Sequence, residues 1–130
     1  MLIDGITLSN QFDWRNEFEW SPVAQTQDRS VTGAFLVQEQ QKTYGRPIDL
    51  VGGEDAVWHD RATVAALKAK EDIVGHQFDV TLPDGQTFKC IFNRDTGAAI
   101  QARRLTRYGG TPQATTDYVI EIIRLVTVEP

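Results

Sequence analysis

A single cysteine, two histidines and no apolar tract long enough to cross a bilayer set the first limits on this 130-residue chain. One cysteine closes no internal disulfide and builds no zinc site by itself. Cys90 falls in the alternation Phe88, Cys90, Phe92, which reads as a small buried hydrophobe rather than a reactive thiol. His59 and His76 show no metal-ligand spacing, so no metal is expected, and both read as surface or turn histidines. No run approaches the roughly 18 apolar residues of a membrane span. The start, Met1-Leu2-Ile3-Asp4-Gly5, lacks the basic and apolar regions of a secretory signal, so use in a cytosol is expected. Basic charge is scarce too: 13 Lys and Arg stand against 18 Asp and Glu, a net charge of −5. That excess argues against sequence-specific binding of nucleic acid.

Catalytic patterns are equally sparse. Gly52-Gly53 is followed by no Gly-Lys-Ser/Thr, so it reads as a turn and not a phosphate loop. No nucleophile elbow accompanies the histidines. The neighbouring carboxylates Glu17 and Glu19, Glu54 and Asp55, and Glu71 and Asp72 read as solvated faces, not as a pair flanking a glycosidic bond. No catalytic residue and no cofactor are expected, and the chain reads as a non-enzyme.

What is present is a globular composition, 41% apolar and 24% charged. The length fits one β-rich domain over residues 1–130. Ile6-Thr7-Leu8 reads as a short strand. Residues 18–26 and 30–41 read as two strands joined by Gln27-Asp28-Arg29, with Pro22 marking an edge or a bulge. Residues 46–51 form another strand after a turn at Gly45. A helix is expected at about 61–70, capped by Asp60 and ending in Lys68 and Lys70, whose charges suit its C-terminal dipole. Phe78, Val80 and Leu82 alternate with polar residues, as do Phe88, Cys90 and Phe92, and Pro83-Asp84-Gly85 turns between them. Residues 98–105 and 118–128 complete the strands. The fold class is mainly β: a barrel or sandwich of antiparallel strands with one packed α-helix.

Three features suggest contact with other subunits. On the helix, Val64 and Leu67 share a side while Ala62, Ala66 and Ala69 form a separate small-residue strip, so the helix either lies in a sheet groove with core on two sides or turns the strip to a neighbouring subunit. The last strand is apolar on both faces, with Ile123 and Leu125 opposite Ile120, Ile122 and Val126; it is either central and covered twice, or one face meets a partner. Trp14 and Trp20 lie in a segment that interleaves aromatics with charge, a composition enriched at interfaces. Trp58, ahead of the helix cap, is expected to staple the helix or plug a barrel end. Arg94, Arg103, Arg104 and Arg107, beside Tyr108, are the one basic concentration and are expected to form salt bridges in the fold or with an acidic partner.

The run from Tyr44-Gly45-Arg46-Pro47 through Ile48-Asp49-Leu50-Val51-Gly52-Gly53, then Trp58, then the helix beginning Arg61-Ala62-Thr63, resembles small tail and baseplate proteins of tailed bacteriophages. With the later hairpin from Phe78 to Phe92 it is most similar to the N-terminal domain of distal tail proteins, over about residues 30–105. The resemblance implies a barrel-like domain with one helix. It implies a homo-oligomeric ring, often hexameric, where the tail tube protein meets the baseplate or tail-tip hub. It also implies a location in the virion after synthesis in the host cytoplasm. Many members carry a second, carbohydrate-binding-like domain for which this length leaves no room, so a connector is the role implied. The alternatives are another tail component (tube, tail-completion or sheath-initiating protein), a small sugar-binding β-barrel using Trp14, Trp20 or Trp58, and, last, a small hydrolase.

Overall fold

The computed structural model describes residues 1–52, 58–105, 110–113 and 115–129. Gly53, Glu54, Asp55, Arg107 and Tyr108 therefore lie outside the described residues. The fold is mainly β, 45% strand and 9% helix, with antiparallel pairing throughout.

The last strand, β11 (Asp117–Thr127), is the axis of the body. Along its first half it pairs with β10 (Ile100–Arg104) on one edge and β7 (Trp58–Asp60) on the other. Along its second half those places pass to β9 (Thr87–Phe92) and β6 (Pro47–Val51). Eleven residues thus serve four neighbours. The sheet runs on from β9 to β8 (Phe78–Thr81), β1 (Leu2–Ile3) and β2 (Ile6–Thr7), and from β6 to β3 (Asp13–Trp14). A register shift between Gln101 and Ala102 marks a bulge within the β10–β11 pairing, with Glu121 as the extra residue on β11.

β11 is paired on both edges, and burial at alternate positions shows that both its faces are covered as well. Val119, Ile120, Ile123 and Leu125 are fully buried and Ile122 nearly so. Ile120, Ile123 and Leu125 join Ile3, Ile48, Leu50, Val80, Cys90 and Phe92 in one core, where the Phe78 and Phe92 rings pack 4.7 Å apart.

The helix, α1 (Arg61–Glu71), closes this core. Its start is fixed locally: Asp60 is extended and its carboxylate accepts from the Thr63 amide at 3.1 Å and from the Thr63 hydroxyl at 2.6 Å. Leu67 is fully buried and Val64 packs against the core. Ala62, Ala65, Ala66 and Ala69 face solvent. At the other end Glu71 is buried, and Lys68 (2.5 Å) and Arg94 (2.7 Å) hold its carboxylate. These cations draw its pKa below the usual glutamate value, Lys68 most strongly.

The remaining two strands stand apart. Among the described residues β4 (Val23–Arg29) and β5 (Phe35–Gln41) pair only with each other, from Val23 opposite Gln41 to Arg29 opposite Phe35. All but one of their residues are exposed, and the core contains nothing between Trp14 and Ile48. The hairpin is an arm projecting from the body.

The arm corrects the expected strand boundaries. Gln27-Asp28-Arg29 is strand, and the turn falls at Ser30–Ala34. There the Ser30 amide donates to the Ala34 carbonyl at 2.8 Å, the Ser30 hydroxyl accepts from the Ala34 amide at 3.0 Å, and Gly33 takes φ +87°. Ser30 and Gly33 supply the turn chemistry; Gln27-Asp28-Arg29 contains no glycine. Residues 15–19 are a chain of turns rather than strand, and Pro22 sits at the mouth of the arm, its carbonyl accepting from the Lys42 amide at 2.6 Å. The Phe78–Phe92 hairpin folds as expected, with Gly85 at φ +91° in its turn.

Candidate functional site

The segment between β3 and the arm is built as a rigid platform. Asn16 is buried, and its side-chain oxygen accepts from the Asp49 amide at 3.0 Å. The Arg15 amide donates to the Asp49 carbonyl at 3.0 Å, which fixes the chain beside β6. Arg46 Nη2 donates to the Glu17 carbonyl at 2.6 Å. Its guanidinium lies 4.5 Å from the Trp14 ring centroid and 5.9 Å from that of Trp20, and Lys42 Nζ lies 5.7 Å from Trp20. Held on this scaffold, Phe18 is 92% exposed.

Beside the platform lies an open cleft of about 300 Å³, lined by Trp20, Tyr44, Arg46, Phe88, Lys89 and Val128 among others. Among the described residues no carboxylate lies within ion-pair distance of Lys42, Arg46 or Lys89. The cleft is aromatic, cationic and uncompensated.

The residues expected to meet other subunits fall into three groups. Ile123 and Leu125 have no accessible surface. That corrects them as interface candidates: β11 is central and covered twice by its own chain, since Val119, Ile123 and Leu125 on one face and Ile120 and Ile122 on the other are all buried. Trp14 is half-buried, edge-on to Phe88 at 5.9 Å, and belongs chiefly to the body. Trp20, half-buried in the cleft, and Ala62, Ala66 and Ala69, on the open side of α1, keep accessible surface. The structure does not gather these into one patch with the buried pair. Trp58 is 55% exposed, so it plugs no barrel end.

The titratable groups have structural partners. The His59 ring, half-buried and stacked on Phe12 at 6.0 Å, accepts from the Ser9 amide at 3.0 Å through Nε2. Burial lowers its pKa, and the neutral ring suits an acceptor. His76 meets Asp4 at 2.7 Å. Both histidines thus pin the N-terminal segment to the body, a role the expectation of plain surface or turn histidines missed. Arg94 and Arg103 pair inside the fold with Glu71 and Glu121, while Arg104 donates to the Gly110 carbonyl at 3.0 Å. Burial pushes the Cys90 thiol up to about 12, with Asp79 adding to the shift. No cluster of three or more His, Cys, Asp or Glu side chains suited to a metal occurs among the described residues, and no helix among them is long and apolar enough to cross a membrane.

Compared with known proteins, the chain matches no family model, no curated protein sequence and no solved structure.

Sequence reasoning missed Phe18 and the independence of the arm. A signal for the arm was present. On one face Val23, Gln25, Gln27 and Arg29 meet Gln41, Glu39, Val37 and Phe35, and on the other Ala24, Thr26 and Asp28 meet Gln40, Gln38 and Leu36. Neither face is continuously apolar, so neither is suited to the core.

Proposed function

We propose that this chain is a structural virion protein whose copies assemble into a ring joining the tail tube to the tail tip or baseplate of a tailed phage. The observation that carries the assembly is the arm. An isolated two-stranded hairpin is marginal in water, and no other strand among the described residues pairs with either outer edge of this one. Natural edge strands are commonly guarded by Lys, Pro or bulges; residues 23–41 contain neither Lys nor Pro, and their pairing runs without a bulge. Five of the eleven large exposed apolar side chains among the described residues (Val23, Val31, Phe35, Leu36 and Val37) lie on it. Two free edges of equal length allow each arm to accept a neighbour on both sides, and such head-to-tail pairing closes into a ring when the rotation permits. The phage setting is drawn from the sequence resemblance.

The test replaces residues 24–40 by a short Gly-Asn turn. The expected result is a folded body that no longer assembles, read by light scattering and negative-stain images, while the full chain forms rings. Rings that survive without the arm contradict its role. Immunogold labelling of purified virions is expected at the distal end of the tube. The same arm would serve a tube, tail-completion or sheath-initiating protein, and labelling along the tube or at the head-proximal end selects that reading instead.

A further inference from the structure

Phe18 and the aromatic cleft are unsatisfied in complementary ways. The Glu17-Phe18-Glu19 turn offers an exposed ring flanked by two carboxylates, while the cleft offers Trp20, Tyr44 and Phe88 surrounded by Lys42, Arg46 and Lys89. The turn is preorganised by the Glu19 amide bonding to the Asn16 carbonyl at 3.3 Å and by Arg46 on the Glu17 carbonyl, so little conformational freedom is lost on docking. Such a rigid aromatic anchor is the usual centre of an interface. Phe18 does not line its own cleft, yet turn and cleft adjoin, since Trp20 lies in one and directly follows the other.

We infer that a second copy of this chain fills the cleft: two molecules dock face to face about a twofold axis, each Phe18 entering the other's cleft between Trp20, Tyr44 and Phe88, with the exposed Glu19 against Lys42 and Lys89. The placement selects this symmetry. A knob and a socket side by side on one surface are self-complementary across a twofold, whereas head-to-tail rings need them on opposed faces. The contact uses neither edge of the arm, so it stands independently of ring formation; in a ring-forming chain it would pair two rings.

Particle mass of the full chain is compared with that of Phe18→Ala and Lys89→Glu by light scattering. Both substitutions are at accessible positions, and circular dichroism checks that each variant is folded. Each is expected to lower the mass about twofold, as breaking one isologous contact must. Glu19→Lys combined with Lys89→Glu is expected to restore it. In a second measurement, Glu19→Cys and Thr87→Cys chains are mixed and oxidised; an intermolecular disulfide between the two is expected, and buried Cys90 does not compete. Unchanged mass in Phe18→Ala, or no mixed disulfide, overturns the docking. Rings that persist unchanged in Phe18→Ala without a cross-link sink the docking and leave the ring. A cross-linked pair with no ring in any sample sinks the ring and leaves the docking.

Discussion

The guanidinium carbon of Arg46 lies 4.5 Å from the centroid of the Trp14 ring, and this stack joins the root of the arm to the body. Arg46 begins the return from β5 into β6, and Trp14 belongs to β3 on the far side of β6. The same guanidinium reaches the Glu17 carbonyl. A lysine has a point charge instead of a plane, so it cannot both stack and donate in this geometry. Arg46→Lys is expected to lower the unfolding free energy by about 1–2 kcal/mol, the sum of a partly desolvated cation–π contact and one hydrogen bond. Urea midpoints at unchanged m-value measure it; an unchanged midpoint would show that the stack contributes nothing.

The helix separates packing from accessibility within two adjacent residues. Leu67 is fully buried and Ala66 faces solvent. Leu67→Ala is expected to cost about 2–5 kcal/mol through lost burial and a residual cavity. Ala66→Leu is expected to stay within about 0.5 kcal/mol of wild type. Should the larger side chain at 66 destabilise the monomer as much as Leu67→Ala does, the alanine strip is not open as described. If it leaves both stability and assembly intact, the strip is not an interface.

Cys90 provides a test of core integrity. Its thiol is fully buried and burial pushes its pKa up to about 12, so the thiolate needed for alkylation is nearly absent at pH 8. Iodoacetamide is expected to leave the native chain unmodified for hours and to label it completely in 6 M guanidinium. Rapid labelling of folded protein, read by mass spectrometry, would place this residue outside the core.

Asp4 couples the N-terminal hairpin to pH. Its carboxylate meets His76 at 2.7 Å and Lys70 at 3.4 Å, and these cationic or donor groups, His76 foremost, hold its pKa below the usual aspartate value. A carboxylate depressed in the folded state stabilises fully above its unfolded pKa, and that contribution disappears as pH falls through the folded value. With a quarter of the side chain exposed, the contribution is about 0.5 kcal/mol. Asp4→Asn is the clean comparison, because asparagine tolerates the φ of +50° found here. The stability gap between the two proteins is expected to be full from pH 5 to 7 and to shrink as the pH falls below the ordinary aspartate value and through the depressed folded one. A gap that persists unchanged at pH 2.5 would assign the effect to the backbone.

Particular elements explain what was readable in advance. The Asp60 cap, the α1 boundaries to within one residue, the Pro83-Asp84-Gly85 turn and the alternation of β8 and β9 are all local, carried by residues whose preferred dihedrals and hydrogen bonds act within a few positions. β1 was missed because two residues, Leu2 and Ile3, are too few to show a period. The arm's turn was misplaced because Gln27-Asp28-Arg29 is as polar as a loop while forming regular strand. For the expected contact residues, sequence gave the same apolar signal to Ile123, which is enclosed, as to any strand awaiting a partner.

The sequence by itself determined the fold class, the helix with its cap and boundaries, and the inert setting of Cys90. Each follows from periodicity, capping or composition acting over short separations. Only the tertiary structure decided that β11 is covered on both faces, that residues 23–41 leave the core, and that Phe18 is held out beside a cationic aromatic cleft. Periodicity reports which face of a strand is suited to burial; which element covers it depends on packing between residues dozens of positions apart, such as the core that unites Ile3, Leu67 and Leu125.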